Sequence, residues 1–167
     1  MKIRIVGPCG SGKSYVAKLL SQKYEIPCYE IDDMVWKRGI EKNRFDEDIR
    51  NKNLEDVLEK DSWIIEGAQS TNWVQNSFIK ADMVFILKIS PLVIDFRIIM
   101  RFIKAKLGIS KMNYNQEFSE LIKMIVEWNH GYNFEKIKAC TKGIENKAYW
   151  VKNIEDIFKI IEKVNEK

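Results

Sequence analysis

Three cysteines, three prolines and a single histidine in 167 residues leave little material for a metal-rich or disulfide-stapled protein. Cys9, Cys28 and Cys140 stand far apart, with no C-x-x-C pair and no nearby histidine, so zinc-ligand spacing is excluded and free thiols are expected. No apolar run approaches the roughly 20 residues that span a bilayer. The first motif begins at Gly7, which leaves no room for a signal peptide, so a cytoplasmic protein without membrane association is the expectation. Charge of one sign is not concentrated either. Lys and Arg number 28 against 24 Asp and Glu, a net charge of +4, and their scatter falls short of the basic stripe of a nucleic-acid binder, making nucleic acid an unlikely partner. Linkers, internal repeats and low-complexity tracts are absent, and 46% hydrophobic with 31% charged residues describes one soluble globular domain.

What the chain does have is Gly7-Pro8-Cys9-Gly10-Ser11-Gly12-Lys13-Ser14, which fits G-x-x-x-x-G-K-[ST] at every specified position. The context agrees. Lys2 to Val6 reads as a short strand before the loop, and Tyr15 to Leu20 as the first turns of a helix after it. Glycines let successive backbone N–H groups turn inward around an anion, and the helix N-terminus adds unpaired N–H groups and partial positive charge. Lys13 supplies a full charge for the β and γ phosphates, and the Ser14 hydroxyl is a ligand for the Mg²⁺ that bridges them. Gly7, Cys9, Gly10, Ser11, Gly12, Lys13, Ser14 and Tyr15 are therefore the candidate nucleotide-binding residues, with ATP and Mg²⁺ as the expected cofactors. Cys9 reads most simply as a small residue that fits the loop.

Downstream, Ile26-Pro27 breaks the first helix and Cys28 to Ile31 reads as a second strand ending at Asp32-Asp33. Ligands of open parallel sheets bind beyond the carboxyl ends of the strands, which makes these acids, Asp32 first, candidates for metal or catalysis beside a plain capping role. Met34 to Arg44 reads as a polar loop able to close over an acceptor, followed by a charged surface helix over Glu47 to Lys60; Arg38, Arg44 and Arg50 are candidate acceptor cations there. Ser62 to Gly67 has the profile of a central strand and delivers Glu66 to the ligand edge, where a carboxylate can hold Mg²⁺ through water or orient an acceptor hydroxyl.

A short helix over Thr71 to Ile79 and the apolar strand Met83 to Ile89 come next. Asp82 precedes that strand at the sheet's other edge, which gives it a turn or capping role. Ser90-Pro91 opens a helix on which Arg97 and Arg101 stand four apart on one face, with Lys104 or Lys106 beyond; such a row can stabilise charge on a migrating phosphoryl group. Phe118, Leu121, Ile122, Ile125 and Trp128 recur at helical spacing and are expected to pack on the core. Trp128, His130 and Tyr132 can line a pocket, but packing is the simpler reading, and His130 is given no catalytic role. Ala148 to Val151 is a last strand, and Asn153 with Asp156 caps a terminal helix. The order β-α-β-α-β-α-β-α-α-β-α predicts one three-layer α/β domain, with the segment at about 97–138 as a lid.

Taken together, the loop, Ile31-Asp32-Asp33…Trp36, Trp63-Ile64-Ile65-Glu66-Gly67, Ala81-Asp82 before an apolar strand and the Arg97/Arg101 pair resemble the DNA topology modulation (FlaR-type) proteins, small P-loop proteins similar to adenylate kinase. The resemblance covers nearly the whole chain. It implies a five-stranded parallel sheet of order 2-3-1-4-5, Mg-ATP, and a phosphotransfer or nucleotide-regulated role. Four departures qualify it. Glu66 replaces aspartate; Ala68-Gln69-Ser70 lacks the Pro-Arg that grips the acceptor phosphate in nucleoside monophosphate kinases; Asn76-Ser77 lacks an arginine; and Leu92 stands where an arginine usually follows the proline.

Three functions are weighed on these residues. The first is an ATP-dependent phosphotransferase or ATPase, releasing ADP, in which Lys13, Arg97, Arg101, Asp32 and Glu66 do the chemistry and Ser14 with Glu66 or Asp32 holds Mg²⁺. The second is a nucleotide-binding regulator of DNA or of a protein partner with little catalysis. The third is a kinase of a small non-nucleotide metabolite such as a sugar acid, sharing the catalytic half. Neither the acceptor nor the oligomeric state is legible.

Overall fold

A parallel strand covered on both faces must be apolar on both, a rule that Met83–Leu87 follows throughout, whereas Lys2–Val6 and Trp63–Gly67 each bury one charged residue, Arg4 and Glu66. The computed structural model describes residues 1–37, 43–109 and 118–166. Strands β1 (Lys2–Val6), β2 (Cys28–Glu30), β3 (Trp63–Gly67), β4 (Met83–Leu87) and β5 (Ala148–Val151) form one sheet of order β2-β3-β1-β4-β5, every pairing parallel. This is the expected 2-3-1-4-5 arrangement, with β1 at its centre.

Alternate residues feed two cores. Ile3, Ile5, Ile64, Phe85 and Leu87 pack with α1 (Lys13–Tyr24) and α8 (Ile154–Asn165) through Val16, Ala17, Leu20, Ile157 and Ile161. Val6, Ile65, Val84 and Ile86 face α2 (Ile31–Val35), α3 (Glu47–Leu58), α4 (Gln75–Ile79) and α7 (Phe134–Cys140) through Ile31, Leu54, Leu58, Phe78 and Ile137. Helices on both faces of one sheet make the three layers. A third, smaller cluster of Ile94, Ile98, Leu121 and Met124 joins α5 (Pro91–Lys106), α6 (Phe118–Lys123) and a π-helical segment (Met124–His130).

Several local expectations change. The acids after β2 belong to α2, whose first turn they charge favourably, rather than to a strand end. The segment over Thr71 to Ile79 divides into a 3₁₀ turn (Asn72–Val74) and α4. Ser90 precedes α5, with Pro91 at the first position, but its side chain makes no capping bond. The stripe expected to pack on the core does so only in part. Leu121 is buried and Ile125 partly so, whereas Phe118, Ile122 and Trp128 are exposed; within the π-helical turn the buried positions are Met124 and Asn129. Asp82 takes the N-terminal role expected of it, accepting from the Lys2 amide at 2.7 Å, and Asn153 caps α8 by accepting from the Asp156 amide at 2.8 Å. Arg38 lies outside the described residues. Among the described residues, no helix is long and apolar enough to cross a membrane.

Candidate active site

Everything at the sheet's carboxyl edge is arranged around the turn from β1 into α1. Gly10 and Gly12 have φ of +78° and +94°, the left-handed region that other residues avoid. At Gly10 a side chain is also excluded by space, since a Cβ there would lie 2.8 Å from Ile98 on α5. Cys9 packs against the same Ile94–Ile98 cluster. The loop is thus wedged between α1 and α5, and its backbone path is set from both sides.

The loop's polar groups converge. Lys13 curls back so that Nζ reaches the Pro8 carbonyl at 3.5 Å, a weak contact that an incoming phosphate can replace. Ser14 Oγ donates to Glu66 Oε1 at 2.5 Å. Glu66 is buried, and its other oxygen, Oε2, has no hydrogen-bond partner among the described residues. A buried carboxylate oxygen left unpaired is costly, and a hydroxyl beside a carboxylate is the hard-oxygen donor set that suits Mg²⁺, with waters and phosphate oxygens completing its shell. The residues present therefore fit the ion. Asp32 is exposed on α2, and Ser14 pairs with Glu66 rather than with it. Tyr15 is exposed at the start of α1, and Ser11 Oγ is buried without a partner within the loop.

The two arginines of α5 part company. Arg97 Nη1 donates to the Ser11 carbonyl at 3.1 Å, which brings its guanidinium onto the phosphate loop. Arg101 Nη2 lies 3.8 Å from Met124 Sδ, turned toward the π-helical segment. His130 Nε2 lies 2.8 Å from Asp95 Oδ2, and the Asn129 amide donates to Asp95 Oδ1 at 2.7 Å. These contacts fasten the π-helical segment to α5, away from the phosphate loop.

A second feature adjoins the loop after β3. Gln69, Ser70, Thr71, Asn72, Trp73 and Gln75 line a cleft of about 840 Å³ closed by Glu47 and Arg50 of α3 and by Lys136, Ala139 and Cys140 of α7. Arg50 stacks over Trp73 at 4.5 Å, and the Trp73 indole N–H donates to Gln69 Oε1 at 3.1 Å. Of the other acceptor cations, Arg44 stacks over Trp36 at 4.5 Å. Lys136 was not singled out by sequence, because one lysine among many on a charged helix carries no signal.

Arg4 is the largest surprise. It is wholly buried in β1, donates to the carbonyls of Ile5, Ile65, Gly67 and Gln69 at 2.7–3.3 Å, and lies 5.0 Å from the Phe78 ring. It thereby pins the chain leaving β3, which carries Glu66 on one side and the cleft residues on the other. Tyr132 assists by donating to the Ala68 carbonyl at 2.9 Å. Burial lowers the Arg4 pKa to about 10 against the opposing pull of Tyr132 and Glu66, and raises that of the Tyr132 hydroxyl. A signal existed: a charged residue inside a strand flanked by parallel neighbours has no solvent to face.

No protein-family model and no curated protein matches the chain, so the FlaR-type resemblance rests on the residues quoted for it. Solved structures do match. Shikimate kinase from Aquifex aeolicus is 19% identical, with a TM-score of 0.54 over 99% of this chain and 96% of that one. Shikimate kinase from Bacteroides thetaiotaomicron is 17% identical, with a TM-score of 0.58 over 100% and 99%. A gluconokinase from Sinorhizobium meliloti 1021 is 16% identical, with a TM-score of 0.55 over 95% and 87%. At such identity the likeness speaks for architecture: this chain has the α/β fold of those kinases, with its phosphate-binding motif at the turn from the central strand into the first helix.

Proposed function

We propose that the protein transfers the γ-phosphoryl group of Mg-ATP to a small hydroxylated acceptor that carries a negative charge. The observation that carries this reading is the Ser14–Glu66 pair, with one carboxylate oxygen unpartnered, beside the phosphate loop. The loop amides and Lys13 would hold the β and γ phosphates, and Ser14 with Glu66 would hold Mg²⁺, with Asp32, exposed at the start of α2, as the alternative acid. When bound, the ion would offset the negative charge that develops on the group in transfer. Arg97, already in contact with the loop, supplies a forked donor to the group in transfer, with Arg101 one turn behind it. The segment at about 97–138, of which 110–117 lie outside the described residues, would act as the lid, excluding water around these charges.

The acceptor belongs in the cleft beside Gln69 to Trp73. Arg50 and Lys136 give it cations, while Gln69, Ser70, Thr71 and Asn72 give it hydrogen-bonding groups for hydroxyls. Without the Pro-Arg of nucleoside monophosphate kinases, and with neighbours in fold that include a gluconokinase and shikimate kinases, hydroxylated carboxylic acids come before nucleotides in this reading. The test is a screen of such acids, nucleosides and nucleoside monophosphates for ADP release, with a control lacking acceptor. Acceptor-dependent release, lost by about 100-fold or more in Lys13→Ala, is the expected result. Release in the control alone would replace the reading with an ATPase switch.

A further inference from the structure

Helix α5 is apolar on two opposite sides, and among the described residues one of them, that of Ile94 and Ile98, is buried. Ile94 and Ile98 are buried against the phosphate loop and the π-helical segment. On the far side, Leu92, Phe96, Ile99 and Ile103 recur at intervals of four, three and four residues, and Leu107 follows the helix end. Leu92 is 76% exposed, Phe96 64% and Leu107 67%, with Val93, Ile99 and Ile103 near 40%. A surface helix ordinarily turns one apolar stripe inward and a polar face outward; apolar residues all round mark a helix with a second partner. Arg97 and Lys104 occupy the side between the two stripes.

We infer that this outer stripe is the interface between two copies of the chain, paired through antiparallel α5 helices about a two-fold axis. The alternation of three- and four-residue steps is that of a seam between two helices, narrower than the broad face with which a helix lies on a lipid surface. The six side chains expose on the order of 600 Å² of apolar surface, which with a polar rim reaches the ~800 Å² per partner of a standard stable interface. A self-complementary stripe also meets the requirement of a two-fold contact, that one patch serve both sides. With the axis at the Ile99–Met100 step, Phe96 meets Ile103 of the partner subunit and Leu92 meets Leu107 of the partner subunit. Pairing there would brace the back of the helix whose other edge presents Arg97 to the phosphate loop. This inference is independent of the proposed reaction.

Sedimentation equilibrium of the full chain is expected to give twice 19.7 kDa at micromolar concentration. Phe96→Glu, and separately Ile99→Lys, should raise the dissociation constant ~30-fold or more while the far-UV spectrum stays native, since both side chains face solvent in the single chain. Should Phe96→Glu not fold, Phe96→Ala is to be measured in its place, with a weaker dimer of native spectrum as the expected result. Three outcomes overturn the inference: a species of single-chain mass at the highest soluble concentration, a dimer indifferent to these substitutions, or capture of the single chain by phosphatidylglycerol vesicles through the same residues.

Discussion

The phosphate loop and the outer side of α5 lie within one helix diameter of each other and are built on opposite principles. Around the loop, the backbone path is fixed by close packing. A Cβ at Gly10 would meet Ile98 at 2.8 Å, one at Gly67 would meet Ile31 at 2.7 Å, and Arg4 ties four carbonyls together behind Glu66. On the outer side of α5, Leu92 and Phe96 touch little of their own chain. Residues that the fold itself does not require are either idle or turned toward something outside the chain. The contrast separates a loop whose path packing fixes from surfaces that the fold leaves to the acceptor and the partner proposed above.

Arg4→Met tests the packed side hardest. Methionine fills the space but removes the guanidinium bonds to the carbonyls of Ile65, Gly67 and Gln69, so a loss of about 3 kcal/mol and a melting temperature lower by roughly 10 °C are expected. Lysine should not rescue it, having no planar fork to span the carbonyls. An unchanged denaturation midpoint would remove Arg4 from the contrast.

Glu66→Gln keeps the volume and a partner for Ser14 while discarding the charge. Phosphoryl transfer should fall about 100-fold, with the Mg²⁺ concentration for half-maximal rate shifted upward. A variant with normal Mg²⁺ dependence would transfer the metal role to Asp32.

Arg97→Ala probes the border between the regions. It is expected to lower kcat about 10-fold with little change in ATP affinity, the pattern of a group that acts in the transition state. A rise in KM for ATP at constant kcat would make it a binding residue only.

The smallest effect concerns Cys28, whose thiol is pushed up to about 11 by burial and by the negative charges of Glu66 and Glu30. Because the folded state keeps this proton above the ordinary thiol value of 9.0, the contribution works against stability as pH climbs from 9 toward 11. Alkylation of Cys28 should accordingly stay slow until pH nears 11 and become ordinary in denaturant, as followed by mass spectrometry. Fast labelling of the native protein at pH 9 would show the packed side to be looser than described.

Much of the loop's local geometry was legible in the chain. The loop pattern names Lys13 and Ser14 outright, and strand–acid–glycine at Ile65-Glu66-Gly67 sends a carboxylate to the ligand edge. The choice between Asp32 and Glu66 as the partner of Ser14 was not legible, because both follow strands in sequence. Only the pairing of β3 directly beside β1, with Ile5 opposite Glu66, sets one of them against the loop. The Arg97/Arg101 pair looked equivalent from its spacing, and tertiary packing gave the loop to Arg97 and the Met124 side to Arg101.

By itself, the sequence determined the phosphate-loop turn, the order of the strands along the chain and the parallel α/β class, since these follow from local rules: glycine where φ is positive, apolar runs where strands are covered on both faces, asparagine at the cap of the last helix. The tertiary structure alone decided what Arg4 does, where the cleft of Arg50, Trp73 and Lys136 opens, and which apolar residues of α5 are left over. Each of those depends on residues distant in the chain meeting at one place, and no periodicity along a chain records such a meeting.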